Sequence, residues 1–119
     1  MNTENSQNPE ANQEVRIVLV TFPNLETARQ IGTLLVESQL VACVNLLPGV
    51  ESIYRWEGAV TTDTEVAGFL KTSTRRLAQL EETFLREHPY DVPEFLVLKP
   101  ESGFGGYLDW VKQSCEKTN

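Results

Sequence analysis

Residues 41–58 read VACVNLLPGVESIYRWEG, and this stretch decides the fold. Residues 41–47 are short and apolar, the pattern of a strand. Pro48-Gly49 follows. Residues 50–56 then alternate, with Ser52, Tyr54 and Trp56 on one face and Glu51, Ile53 and Arg55 on the other. Glu57-Gly58 is a turn signal, and residues 65–72, EVAGFLKT, read as the returning strand. Taken as one ribbon, residues 41–56 would span roughly 50 Å at 3.3 Å per residue. A domain of this size has a radius of gyration of about 13 Å. The ribbon is therefore expected to bend at Pro48-Gly49 and to project as a hairpin arm. A projecting arm carries open edges, which are normally paired or covered, and another subunit is the simplest cover.

Upstream, residues 15–22, VRIVLVTF, form a short run apolar at nearly every position, as in a strand covered on both faces. Pro23 ends it, and Asn24 is a good N-cap for a helix to Ser38. Leu25, Ala28, Ile31, Leu34 and Leu35 recur there at helical spacing. Downstream, Thr74 or a neighbour is expected to cap a second helix running to His88, with Leu77, Leu80, Phe84 and Leu85 as its apolar stripe. Pro89 stops it. Residues 94–98 read as a last strand, and a glycine-rich link, Gly103, Gly105 and Gly106, leads to a short helix over residues 107–114. The order is β-α-β-β-α-β with one extra C-terminal helix. This predicts an α+β domain of the ferredoxin-like arrangement, both helices on one face of an antiparallel sheet. The strands are apolar on both sides, so the second face also needs a cover, and an oligomer is again implied. Pattern alone does not choose among two, three or four copies.

Composition sets the limits. The chain has 119 residues, 40% of them hydrophobic, enough for one domain with its own core. Ten basic residues against 17 acidic ones give a formal net charge of -7. That balance argues against nucleic acid and anionic membrane as partners, since both are held by basic patches. Two cysteines, Cys43 and Cys115, make no disulfide framework and fit a reducing compartment. The longest unbroken apolar run in the first part of the chain, Ile17 to Val20, is far short of the roughly 18 residues of a membrane helix. No secretory signal is visible, and a cytoplasmic location is expected. Residues 1–13, MNTENSQNPEANQ, offer little apolar surface and read as a disordered tail before a single domain over 14–119.

Several motifs then fall in one order: Ala42-Cys43-Val44-Asn45, Leu47-Pro48-Gly49, Ser52-Ile53-Tyr54-Arg55-Trp56-Glu57-Gly58, Leu70-Lys71-Thr72, His88-Pro89-Tyr90-Asp91-Val92-Pro93-Glu94 and Tyr107-Leu108-Asp109-Trp110. In this order and spacing the chain resembles the CutA family of divalent-ion tolerance proteins, over roughly Arg16 to Ser114. The resemblance implies a homotrimer of ferredoxin-like subunits, similar in architecture to PII signalling proteins, with the long hairpin packed on neighbours. It implies a link to tolerance of copper and other divalent metals, and no assigned reaction. It also implies a metal site built on a first-strand cysteine and two adjacent histidines. Here Val20 stands at the cysteine position and Glu87 at the first histidine, leaving only His88.

The candidate residues follow. His88, the single histidine, reads as a structural residue near a helix end, or as a metal ligand with help from Glu87, Asp91 or another subunit. Cys43 reads as a small buried hydrophobe, or as a soft ligand for Cu(I). Ser52, Tyr54 and Trp56 read as trimer-interface anchors. Lys71, among apolar neighbours, needs a carboxylate partner, and Glu94 or Glu65 is the expected one. Lys71 with Asn45, Cys43 and Glu94, walled by Tyr107 and Trp110, would make an anion-binding cleft between subunits, as the PII-like resemblance implies. No P-loop, no nucleophile elbow and no triad is present, so an enzyme is not expected. The expected function is a non-catalytic sensor or adaptor for a small or anionic ligand. The alternative is direct chelation of copper or zinc by Cys43 and His88.

Overall fold

The computed structural model describes residues 13–116. Four strands and three helices follow in chain order: β1 (Val15–Phe22), α1 (Leu25–Glu37), β2 (Cys43–Trp56), β3 (Ala59–Ser73), α2 (Leu77–Glu87), β4 (Phe95–Leu98) and α3 (Gly105–Ser114). All strand pairs are antiparallel, in the order β2-β3-β1-β4. This is the ferredoxin-like α+β arrangement.

Alternation along β1 sorts the two faces of the sheet. Val18, Val20 and Phe22 are fully buried and meet Ile31 and Leu35 of α1 and Leu80 and Phe84 of α2 in one core. The register places Leu70, Gly68 and Val66 of β3 opposite Val18, Val20 and Phe22 on that same face. Gly68 sits there because nothing larger fits. A Cβ on it would come within 2.8 Å of Phe22 Cε2 and 2.9 Å of Val20 Cγ2. The other face carries Ile17, Leu19 and Phe69, each only partly buried, with Leu96 and Leu98 of β4 54% and 43% exposed.

Helix α1 begins as expected, with the Asn24 side chain accepting from the Thr27 N–H at 2.8 Å. The start of α2 differs. A 3-10 turn, Thr74–Arg76, precedes it, and no side chain caps it. The Thr74 hydroxyl instead accepts from the Glu14 N–H at 3.1 Å, while the Thr74 N–H donates to the Glu14 carbonyl at 2.8 Å. Gln13, the last residue of the expected tail, is buried and accepts a hydrogen bond from Ser73 at 3.0 Å. The rest of the expected tail, residues 1–12, lies outside the described residues. Helix α3 begins at Gly105, two residues earlier than the glycine content suggests.

The arm is longer than its sequence pattern shows. β2 runs unbroken through Pro48-Gly49, and β3 begins at Ala59 rather than Glu65. Together they extend the molecule to 53 Å along its longest axis, with a radius of gyration of 15.9 Å. Pro48-Gly49 is a β-bulge, not a turn. Leu47 pairs with Ala67 and Val50 with Glu65, so two residues of β2 stand opposite Val66 alone. Gly49 takes φ of 77°, which favours glycine. The extra residue reverses the parity of everything beyond it. Cys43, Asn45 and Leu47 share a face with Lys71, Phe69 and Ala67. Past the bulge, the even-numbered Ser52, Tyr54 and Trp56 join the odd-numbered Asp63, Thr61 and Ala59 on that same face.

Candidate functional site

The bulge and the loop after α2 together form a groove of about 620 Å³ where the arm leaves the sheet. β1 and the arm contribute Thr21, Ser52, Ile53, Tyr54, Trp56, Asp63 and Glu65. The loop contributes Tyr90, Asp91, Val92 and Glu94. Ser52, Tyr54 and Trp56, expected as interface anchors, thus line a groove within one chain, and Trp56 remains 49% exposed there.

His88 holds the loop in place. Its ring is buried, 5.1 Å from Phe84 and 5.7 Å from Phe22 between centroids, with Tyr90 edge-on at 4.7 Å. Nε2 lies 2.8 Å from the Thr21 carbonyl, and Nδ1 accepts from the Tyr90 N–H at 3.1 Å. A carbonyl only accepts and an N–H only donates, so the ring is the neutral Nε2–H tautomer. Burial pushes its pKa below the usual histidine value, against the Thr21 bond and the charge of Glu65. Both nitrogens are committed within the chain, which leaves His88 no lone pair for a metal.

Two tyrosines carry the acids of the groove. Tyr90 Oη donates to Glu65 Oε2 at 2.8 Å, and Tyr54 Oη donates to Asp63 Oδ2. Burial first, and then the bond to Glu65, push the Tyr90 phenol far up. The bond to Asp63 raises the Tyr54 phenol as well. Burial and then the charge of Glu65 raise the Glu94 carboxyl. No lysine, arginine or histidine lines the groove among the described residues.

The expected anion cleft is brought together only in part. Lys71 Nζ donates to Asn45 Oδ1, and Cys43 Sγ lies 3.6 Å from the same oxygen. An amide oxygen, not Glu94 or Glu65, therefore satisfies this lysine. Glu94 belongs to the acidic groove instead, and Glu65 is bonded to Tyr90. Tyr107 and Trp110 face each other on α3 at 5.6 Å, both half exposed. The proposed metal pair is also split. Cys43 stands opposite Lys71 on β3, whereas His88 bonds to Thr21, which stands opposite Ala67. Four residues of β3 separate those positions, about 13 Å along the strand. Glu87 turns to Arg86 at 3.6 Å. Among the described residues no three His, Cys, Asp or Glu side chains are grouped to hold a metal ion.

The family model for the CutA1 divalent ion tolerance protein matches residues 16–114. The chain belongs to the CutA1 family. It is 45% identical over 98 residues to the divalent-cation tolerance protein CutA of Thermus thermophilus, an alignment covering 82% of this chain and 95% of that protein. It is 42% identical over 98 residues to the chloroplastic protein CutA of Arabidopsis thaliana, covering 82% of this chain and 54% of that one. The solved Thermus thermophilus CutA1 structure superposes with a TM-score of 0.82 at 44% identity, over 84% of this chain and 97% of that one. Within this CutA1 fold, Val20 points into the core against Gly68 and is fully buried. Among the described residues no helix is long and apolar enough to cross a membrane.

The acidic groove is what sequence reasoning missed. Tyr90, Asp91 and Glu94 were visible as part of one motif, but their meeting with Glu65 and Asp63 depends on the register beyond the bulge. A Pro-Gly pair between two strand-like runs is the one local signal that marks it.

Proposed function

We propose that this chain works as a homotrimeric, non-catalytic sensor or adaptor in divalent ion tolerance, with a small ligand held in crevices where subunits meet, in the cytoplasm. The observation that carries this is the outer face of the sheet. Ile17, Leu19, Phe69, Leu96 and Leu98 form an apolar surface across three strands, on the side away from the α1 and α2 core. Contiguous exposed apolar surface of this kind marks an interaction site. Lys71, Asn45 and Cys43 lie on the same face, so a neighbour seated there would close over them.

Tolerance of copper or another divalent ion would, in this reading, proceed without tight chelation by one subunit, since His88 is committed and Cys43 stands apart from it. Native mass spectrometry of the full chain tests the assembly. A mass of three subunits is expected, and a solitary subunit at micromolar concentration overturns the reading. Calorimetric titration with Cu and Zn is expected to show no stoichiometric sub-micromolar site. Such a site, lost in Cys43→Ser, would favour chelation instead.

A further inference from the structure

We propose that His88 is a proton-operated latch: a proton taken up at Nδ1 releases residues 89–93 from the body of the chain and opens the groove they wall, while the core stays folded. The device lies within one subunit, so it goes beyond the reading above and does not rest on it.

Residues 89–93 lie in no helix or strand, and among the described residues none of them makes a backbone–backbone hydrogen bond. Pro89 and Pro93 have no N–H to give. Asp91 and Val92 are exposed. Two hydrogen bonds hold the segment, both from Tyr90: its N–H donates to His88 Nδ1 at 3.1 Å, and its phenol donates to Glu65 at 2.8 Å. The one bond from the loop's backbone thus ends on an atom that titrates. Protonation turns Nδ1 from acceptor to donor, so two N–H groups then face each other where a bond was. The opposite nitrogen is untouched. Nε2–H donates to the Thr21 carbonyl in both charge states, and the ring keeps its packing against Phe22 and Phe84. The repulsion therefore falls on the loop side alone. Moving the segment away lets water accept from Nδ1–H, a local opening that leaves the core intact.

The groups packed on the ring set the direction. Thr21 and Phe22 of β1 and Phe84 of α2 carry no charge. Glu87, its neighbour in α2, turns to Arg86. From the loop comes the Tyr90 phenol, bonded to Glu65, and Glu65 of β3 is the carboxylate whose charge acts on the ring. Burial outweighs that charge and holds the folded ring below the usual histidine pKa, near 6.5. The closed form thus resists the proton, and the open form, with water at Nδ1, accepts it more readily. As the pH falls below about 6.5, each unit raises the ratio of open to closed loop by up to about tenfold, until the closed form titrates too.

Nitrogen-15 NMR of the full chain, titrated downward from neutral pH, tests this. The His88 ring shifts report the tautomer and the proton, and the backbone order parameters of Tyr90, Asp91 and Val92 report the loop. Those order parameters are expected to fall from about 0.85 to below about 0.6 with the midpoint of the ring titration, while those of β1 and α2 hold. His88→Asn puts an amide oxygen near the place of Nδ1 and cannot titrate, so its loop should stay ordered across the range. His88→Phe offers no acceptor, so its loop should be mobile even at neutral pH. Both variants keep Glu65 and Glu94, so an acid transition of the loop that persists in His88→Asn assigns it to those carboxylates and overturns the proposal. So does an ordered loop beside a protonated ring in wild type, or an ordered loop in His88→Phe. So does loss of the β1 and α2 signals in step with the loop or before the ring titrates. Wild type and His88→Phe decide the matter if His88→Asn does not fold.

Discussion

Replacing His88 with phenylalanine separates the two things this ring does. Phenylalanine keeps the flat shape and the packing against Phe84, Phe22 and Tyr90. It removes both ring hydrogen bonds, leaving the Thr21 carbonyl and the Tyr90 N–H without their partners. A buried backbone group stranded this way costs about 1–3 kcal/mol. Both bonds are part-buried, so the sum should be near 2–4 kcal/mol at pH 8. The pH dependence then identifies the cause. Folding lowers the His88 pKa, mainly by burial. In the unfolded chain the ring takes its proton near pH 6.5. Below that value the unfolded state binds more protons than the native state, and native stability falls with pH by up to about 1.4 kcal/mol per unit. The loss stops once the folded ring also titrates. His88→Phe has no such proton, so the gap between wild type and variant should narrow steadily below about pH 6.5. Glu65 carries the nearby charge and is present in both proteins, so its contribution largely cancels. Urea unfolding at pH 8, 7, 6 and 5, at fixed protein concentration, measures the gap. A gap that stays constant over that range would refute the buried, neutral, doubly bonded histidine.

Gly68→Ala should destabilise the fold by about 1–3 kcal/mol, since the new methyl meets Phe22 and Val20 at under 3 Å in the buried layer. A urea midpoint equal to that of wild type would show that the layer has room. The two thiols should also differ in reactivity. Cys115 is fully buried, and burial raises its pKa despite bonds to Thr72 and Ser73, whereas Cys43 is only partly covered. Dithionitrobenzoate should therefore label Cys115 only on unfolding, and rapid labelling of Cys115 in native protein contradicts the packing of α3. Asn24→Ala removes the one side-chain cap seen on α1 and should cost about 1 kcal/mol, read as a lower unfolding midpoint.

What the sequence made legible was set by local physics. The stripe Ala28, Ile31, Leu35 needs only the helical period to find its core face, and Asn24 needs only its own side chain to start the helix. β1 was readable because a strand buried on its core face tolerates nothing but apolar residues there. The arm was readable because residues 50–56 alternate and cannot fit inside a domain this small. Partners distant in sequence were not readable. Lys71 offered a charge that any acid could have matched, and the choice of Asn45 is made by a register in which Cys43, not Asn45, stands directly opposite Lys71. His88 looked like a candidate ligand because one sequence position cannot show that both its nitrogens are already occupied by Thr21 and Tyr90.

The bulge explains why the groove escaped the reading. In a regular strand, Cys43, Asn45 and Leu47 would share a face with Glu51, Ile53 and Arg55, and the even-numbered aromatics of the arm would stand on the opposite face. The extra residue at Pro48-Gly49 reverses that assignment over one step. It brings Ser52, Tyr54 and Trp56 to the face of Asp63 and Glu65, and so to the loop that His88 anchors. The same step leaves Ile53 and Arg55 on the other side of the ribbon, although Ile53 still reaches the rim of the groove. Chemistry at the base of the arm therefore depends on a proline that donates no ladder hydrogen bond and a glycine at positive φ, neither of which carries any chemistry of its own. Removing the bulge would therefore change whether there is a groove at all.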